Sequence, residues 1–112
     1  MDDKIEVSNV HLSVIKFSTT PFGRYREDGS GNGETYRKEY LLPVLKSGAS
    51  VIVDLDGTEQ GYGSSFLVEA FANLIRKEGY SLKEIKERIT FKSEDSDLLE
   101  EIDYYLKEAS EE

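Results

Sequence analysis

The sequence has no cysteine, one histidine and few basic residues, and each scarcity excludes a class of chemistry. Without cysteine there is no disulfide framework and no thiol catalysis. A serine nucleophile needs a general base, and the one histidine, His11, is expected to be an ordinary residue near the start of a strand. A transition-metal site would need a cluster of His or Cys ligands. We therefore expect a protein that is not an enzyme and that uses no cofactor and no metal.

The charge balance points away from nucleic acids and membranes. The chain carries 23 acidic and 14 basic residues, for a net charge of -9. A nucleic-acid-binding domain needs a basic patch, and none is visible. No apolar run is long enough to cross a bilayer, and the acidic start MDDKIEV lacks the basic and then apolar order of a signal peptide. We expect a cytoplasmic protein. Its acidic residues either face solvent on a helix after Glu94 or attract a basic surface of a partner protein.

The chain is organised around Val51 to Ile75, a stretch typical of a strand, a glycine-rich turn and a helix. Val51 to Leu55 is a short β-branched run of the kind found in a strand buried on both faces. Ser64 and Ser65 follow the turn, and serine is a preferred residue at the start of a helix. Gly79 is the expected left-handed cap at the end of that helix. Apolar residues repeat between them at helical spacing, namely Phe66, Leu67, Ala70, Phe71, Leu74 and Ile75.

Shorter patterns on either side predict an α/β domain. Strands are predicted at Ile5 to Val7, Leu12 to Phe17 and Ile89 to Phe91, and helices at Glu34 to Leu45, after Ser81, and after a cap at Ser93 or Asp95. Pro43 should end or kink the first helix near Leu42. The order β-β-α-β-α-α-β-α predicts a mixed sheet with helices packed on it. We expect one domain over residues 1–112, with frayed or disordered ends at about 1–3 and 110–112.

This central stretch resembles the middle of a STAS domain, the superfamily of the anti-anti-sigma factors. The shared features are an apolar strand ending in Asp-Leu-Asp-Gly, a short loop, Ser-Ser and an apolar helix. The segments GETYRKEYLLPVL and SSFLVEAFANLI are closer still to the bacterial STAS-like family of unknown function, a resemblance that spans roughly residues 12 to 93. It implies a regulatory module that binds a protein, such as a histidine-kinase-like ATPase of the anti-sigma type. Gly63 stands where anti-anti-sigma factors usually carry an Asp before the phosphorylated serine.

Two interpretations of Ser64 and Ser65 stay open. As structural residues they would be helix N-caps, a role worth about 1 kcal/mol. In the functional interpretation the partner phosphorylates one hydroxyl, because a phosphate at a helix start meets free N–H groups and the positive end of the helix dipole. The resemblance favours Ser64 as the phosphorylated residue and leaves Ser65 as the cap. Gly61 and Gly63 would make the turn flexible, and Tyr62 would provide an aromatic contact for the partner.

An alternative function is a small-molecule or nucleotide-binding module that uses the glycine-rich segment 18–33 and the serine turn 61–65. Its candidate binding residues are Arg24, Gly31 and Gly33, since glycines before a helix can cradle a phosphate. The segment lacks the Gly-Lys-Ser/Thr ending of a P-loop. A long glycine-rich connection of this kind is otherwise a flexible turn region.

Acidic residues near the turn also have alternative roles. Glu69 interrupts the apolar helix, and it either faces solvent and pairs weakly with Arg76 or contacts Arg24 and fixes the segment 18–33 over the serine turn. Asp54 and Asp56 point to the same face at the end of a strand, where such residues commonly serve turn chemistry. A role as carboxylate ligands of Mg²⁺ stays open for them.

Overall fold

Three parallel strands form the sheet of the computed structural model, which describes residues 9–112. They are β1 (Asn9–Ser13), β2 (Ser50–Asp54) and β3 (Ile89–Lys92), in the spatial order β1-β2-β3. The predicted α/β class is confirmed, and β2 has the predicted central position. Within the described residues every strand pairing is parallel. The strand predicted at Ile5 to Val7, and with it any antiparallel pairing, lies outside them.

The core lies on one face of this sheet. Val51 and Val53 on β2 are 1% and 0% exposed, whereas Ile52 between them is only half-buried. The prediction that both faces of this strand are buried is therefore wrong for the face that carries Ile52. Crossovers between parallel strands are almost always right-handed. Because the strands are in sequential order, such crossovers place their helices on the same face of the sheet. The opposite face is not covered by these helices.

The run Leu12 to Phe17, predicted as one strand, divides into two elements. β1 ends at Ser13, and Val14–Phe17 form a helical turn. Ser13 is level with Asp54, the last residue of β2. Beyond that point β1 has no neighbouring strand to satisfy its backbone N–H and C=O groups, so the chain curls despite its β-branched residues.

Helices span residues 33–46 (the first helix), 64–76 (the central helix), Leu82–Arg88 and Ser96–Ser110 (the C-terminal helix). The central helix packs against both the first and the C-terminal helix. It ends at Arg76, three residues before Gly79. Gly79 has a φ of +86°, and the N–H of Tyr80 donates to the carbonyl of Leu74 at 3.1 Å. The predicted left-handed cap is therefore confirmed.

Both the first helix and the central helix contain a π-helical stretch, at Tyr36–Leu41 and Val68–Ala72. Pro43 follows the first stretch and does not end the helix, which continues to Lys46. A proline ring clashes with the carbonyl four residues earlier in a regular α-helix. The wider winding of the preceding π-helical stretch leaves room for the ring, which is why the predicted end near Leu42 is absent.

Phe71 is the centre of the aromatic part of the core. It is 1% exposed, and its ring centroid lies 4.9 Å from that of Phe91 on β3 and 6.2 Å from that of Tyr36 on the first helix. Phe66 lies one turn earlier on the central helix, with its centroid 6.3 Å from Phe71. The helical apolar spacing therefore predicted the buried face correctly.

The remaining helix ends follow local capping chemistry. Ser81 and Glu84 form the predicted capping box. Asp95 caps the C-terminal helix, because its carboxylate accepts from the N–H of Leu98 at 3.2 Å. Ser93, the other predicted cap, instead donates to Asp56 at 3.0 Å.

Candidate functional site

The turn between β2 and the central helix lies at the carboxyl edge of the sheet. Gly57 and Gly61 have φ angles of +99° and +82°, a region that glycine enters without the penalty other residues meet. The N-cap of the central helix is Gly63, and no side chain caps it. Ser64 and Ser65 are therefore the first two helical residues, and the prediction that one of them is the N-cap is wrong. Their hydroxyls are left free for other partners.

The two serines have different surroundings. Ser64 is exposed. On the C-terminal helix, which packs against the central helix, the Tyr105 hydroxyl donates to the Glu101 carboxylate at 2.8 Å. Ser65 is half-buried, and its hydroxyl accepts from Nη2 of Arg24 at 3.4 Å. The structure thus brings Arg24 to the serine turn through Ser65, and not through Glu69.

Segment 18–33 is folded against its neighbours. The N–H of Gly33 donates to the carbonyl of Gly23 at 2.9 Å, and Asn32, which is 2% exposed, accepts from the N–H of Thr35 at 2.7 Å. A Cβ on Gly31 would lie 2.5 Å from the Ser18 hydroxyl. Composition alone suggested a flexible turn region, whereas these contacts show that Gly31 and Gly33 are packed against neighbouring residues.

Gly33 marks the closest approach of the first helix to the central helix. A Cβ there would lie 2.7 Å from the carbonyl oxygen of Phe66 and 3.0 Å from the nitrogen of Ala70. Both groups are backbone, so neither can rotate away. Gly33 is therefore required for helix packing, and its N–H is already used, which leaves it no free donor for a phosphate.

The segment and the serine turn are also in direct contact. The N–H of Gly63 donates to the carbonyl of Pro21 at 3.1 Å, and that of Glu59 donates to Thr19 at 3.2 Å. A Cβ at position 63 would lie 2.9 Å from the carbonyl oxygen of Phe22. An Asp at this position, as in anti-anti-sigma factors, would displace that contact.

Glu69 has neither of the partners that the sequence suggested. It is 1% exposed, and its Oε2 accepts from Nη1 of Arg37 at 2.9 Å and from Nζ of Lys77 at 3.5 Å. Arg76 pairs with Glu112 instead, at 2.6 Å. Burial acts to raise the pKa of Glu69, but the charges of Arg37 and Lys77 outweigh it and hold the pKa below its usual value.

Arg37 is the residue of this region that sequence reasoning missed. It is 1% exposed, and it donates to the Glu69 backbone carbonyl as well as to the Glu69 carboxylate. Its Nε donates to Glu78 at 2.9 Å. The one available signal was its spacing, since Arg37 lies four residues after Gly33 and so on the same helix face. Within residues 9–112, Oε1 of Glu69 has no hydrogen-bond partner.

The side chain of Tyr62 packs between the turn and the end of β2. Its hydroxyl donates to the carbonyl of Leu55 at 2.8 Å, and its ring centroid lies 5.9 Å from that of Phe66. Burial raises the pKa of the Tyr62 phenol. The predicted aromatic contact for a partner is therefore a half-buried side chain whose hydroxyl is already used.

A pocket of about 200 Å³ lies between this turn and the start of the C-terminal helix. Its lining residues are Leu55, Asp56, Gly57, Thr58, Gly61, Tyr62, Ser93, Asp95 and Leu98. Asp56 Oδ1 accepts from the Ser93 hydroxyl and from the N–H of Glu94, and Asp54 Oδ1 accepts from the N–H of Asp56 at 3.0 Å. These bonds are turn chemistry. Within the described residues, no group of three or more His, Asp or Glu side chains is placed to hold a metal ion.

Comparison with known protein families identifies one that covers most of the sheet and the serine turn. A family model described as a STAS-like domain of unknown function (DUF4325) matches residues 32–99, more than half of the chain. The matched range contains β2, the serine turn, the central helix and β3. No curated protein and no solved structure gave a match. Among residues 9–112, no helix has the length and apolar character required to cross a membrane.

Proposed function

This chain belongs to the family of STAS-like domains of unknown function, and on that premise we propose that it is a non-enzymatic regulatory module that binds another protein. The proposed partner is a histidine-kinase-like ATPase of the anti-sigma type, which phosphorylates Ser64. The observation that carries the proposal is the exposure of Ser64 at the first position of the central helix. A kinase must bring a γ-phosphate in line with the serine oxygen, and an exposed hydroxyl permits that approach.

The proposed reaction is a phosphoryl transfer from ATP. The Ser64 oxygen forms a bond to the γ-phosphorus, the bond from that phosphorus to the β,γ-bridging oxygen breaks, and ADP leaves. The hydroxyl proton passes to a base of the kinase. The product adds a charge of about -1.5 to -2 to a surface that already belongs to an acidic chain. An acidic partner surface would then be repelled.

Gly63 is the position at which this chain departs from the anti-anti-sigma pattern. Anti-anti-sigma factors usually carry an Asp before the phosphorylated serine, and here the contact with Phe22 leaves no room for its Cβ. The turn of this chain is therefore held by segment 18–33, and the kinase would meet a neutral backbone at position 63 rather than a carboxylate.

The test uses the cognate partner, captured from the source cell with the full chain, and ATP. We expect phosphate on Ser64 by mass spectrometry, constitutive binding by Ser64→Ala, and binding by Ser64→Asp that is about tenfold weaker. Ser65→Ala is the matched control, and it should remain phosphorylated. Equal binding by the wild type and both Ser64 variants, with no phosphate on either serine, would contradict the switch.

A small-molecule-binding module is the second candidate, and the pocket of about 200 Å³ beside the turn favours it. The pocket contacts the turn through Gly61 and Tyr62 and is lined by the carboxylates of Asp56 and Asp95, so a cationic ligand fits it better than a nucleotide phosphate. Anything that binds only the folded chain raises its melting temperature. Stabilisation by an amine, lost when Leu98→Trp fills the pocket, would support this candidate, and the absence of any stabilising amine would count against it.

A further inference from the structure

A second cavity lies along β3, at the edge of the sheet. It measures about 220 Å³, and its walls come from the helix Leu82–Arg88, from β3 and from the C-terminal helix. Six apolar side chains line it, namely Ile85, Ile89, Phe91, Leu99, Ile102 and Leu106. The pocket beside the serine turn shares none of these side chains, so the two are separate.

The cavity lies where the C-terminal helix meets two neighbouring helices. Leu99, Ile102 and Leu106 recur at helical spacing and so share one face of that helix, which packs against the central helix and the helix Leu82–Arg88. Ile102 and Leu106 are 1% and 2% exposed, whereas Leu99 and Phe91 are half-buried. The cavity therefore has a buried apolar inner part and an opening toward solvent beside the half-buried residues.

The size and lining of this cavity suit a short apolar chain. An apolar cavity of about 150 Å³ lined by Leu, Ile and Phe side chains binds one benzene molecule. A volume of about 220 Å³ is therefore enough for a chain of about six carbons. Ligand sites in proteins are typically concave and mostly apolar, with a few polar groups that fix the orientation of the ligand. The apolar lining leaves that task to the polar residues of the rim.

Two polar side chains complete the lining, and they determine which head group the chain can carry. Lys86 and Asp103 form an ion pair that joins the helix Leu82–Arg88 to the C-terminal helix. Asp103 Oδ2 also lies 2.9 Å from Nζ of Lys107, so two ammonium groups share one carboxylate. These ammonium groups hold the pKa of Asp103 below its usual value. A second carboxylate can therefore join the cluster and leave each lysine with an anionic partner.

We propose that this cavity binds a small monocarboxylate whose apolar chain of about six carbons enters the cavity and whose carboxylate pairs with Lys86 at the rim. The chain contacts Ile85 and Ile102, which are each 1% exposed. An amine of the same length would bring a third ammonium group to a cluster with one carboxylate, so it binds more weakly. This binding site does not depend on the phosphorylation of Ser64.

Thermal unfolding and NMR titration of the full chain test the proposal, with hexanoate as the probe. At about ten times its Kd, hexanoate should raise the midpoint of thermal unfolding by about 5 °C. It should also shift the backbone amide signals of Ile85 and Ile102. Butyrate, which is shorter by two methylene groups, should bind about fifteenfold more weakly. Hexylamine should bind at least about threefold more weakly than hexanoate.

Substitutions in the lining test where hexanoate binds and why. Leu99→Trp fills the cavity and should abolish the response, whereas Leu98→Trp, at the adjacent position that lines the other pocket, should leave it unchanged. Asp103→Asn removes the carboxylate that competes for Lys86, so hexanoate should bind about threefold more tightly. Lys86→Gln should weaken the binding of hexanoate by about the same factor and leave that of hexanol unchanged.

An unfolding midpoint and amide signals that hexanoate leaves unchanged would overturn the proposal and reduce the cavity to a gap in packing. Equal affinities for hexanoate and hexylamine, or weaker binding of hexanoate by Asp103→Asn, would show that the cavity does not select a carboxylate. Retained binding by folded Leu99→Trp would place hexanoate elsewhere on the chain. Lys86→Gln and Asp103→Asn change side chains at the surface, so they decide the question if Leu99→Trp does not fold.

Discussion

Replacing Glu69 by glutamine should lower the free energy of unfolding by about 2 to 3 kcal/mol. Arg37 and Glu69 are each 1% exposed and lie 2.9 Å apart at Nη1 and Oε2. Removing one member of a buried ion pair typically costs about 3–5 kcal/mol, because the other charge loses its partner. Here Arg37 keeps the Glu69 backbone carbonyl and the Glu78 carboxylate, 2.9 Å from its Nε. These two acceptors place the expected loss at or below the lower end of that range.

The loss should also depend on pH. The pKa of Glu69 lies below its ordinary value of 4.5 in the folded protein, because Arg37 and Lys77 outweigh the effect of burial. A carboxyl group of this kind stabilises the fold above its unfolded pKa, and the stabilisation disappears as the pH falls through the folded pKa. The difference between wild type and Glu69→Gln should therefore be complete near neutral pH and should shrink below about pH 4.5.

Urea unfolding at about pH 7 and about pH 3 measures both effects. Glu87→Gln is the matched control, because Glu87 forms an exposed pair with Lys83 and such pairs contribute less than about 1 kcal/mol. Two results would refute the reasoning for Glu69: a loss below about 1 kcal/mol with an unchanged m-value, or a difference from wild type that is the same at both pH values.

Two further substitutions test the packing around this pair by the same unfolding assay. Phe71→Ala should cost about 3–5 kcal/mol, because it opens a cavity between Phe91 and Tyr36, and a loss under about 1 kcal/mol would place Phe71 outside the core. Gly33→Ala should cost about 1–3 kcal/mol, because its Cβ would lie 2.7 Å from the Phe66 carbonyl oxygen. An unchanged unfolding midpoint would show that the two helices can separate without penalty.

The sequence predicted the elements whose causes are local. The apolar run of β2, the helical spacing after Ser65, the cap at Gly79 and the Ser81–Glu84 capping box depend on neighbours within a few residues. Each is present in the structure. The error at Val14–Phe17 has a different origin, because the length of β1 is set by where β2 ends and not by its own residues.

The buried ion pair between Arg37 and Glu69 could not be predicted, since it joins residues that are distant in sequence. Arg37 and Glu69 are 32 positions apart, and either residue alone is typical of an exposed helix position. Their burial requires the first helix and the central helix to approach closely at Gly33. In the sequence, nothing distinguishes Gly33 from the other glycines of its segment. The packing of Gly31 and Gly33 could not be predicted for the same reason, because composition does not distinguish a mobile glycine from one packed against a backbone.

The order of the helices determines from which side a partner could approach Ser64. Sequential parallel strands with right-handed crossovers set their helices side by side on one face, and the central helix here contacts both the first and the C-terminal helix. On the side of the first helix, Arg24 and segment 18–33 cover Ser65 and contact Gly63. Ser64, in contrast, is exposed. A kinase that reaches Ser64 would therefore contact the C-terminal helix, so Tyr105→Phe should alter the rate of phosphorylation more than Tyr25→Phe, and equal rates would place the partner on the opposite side.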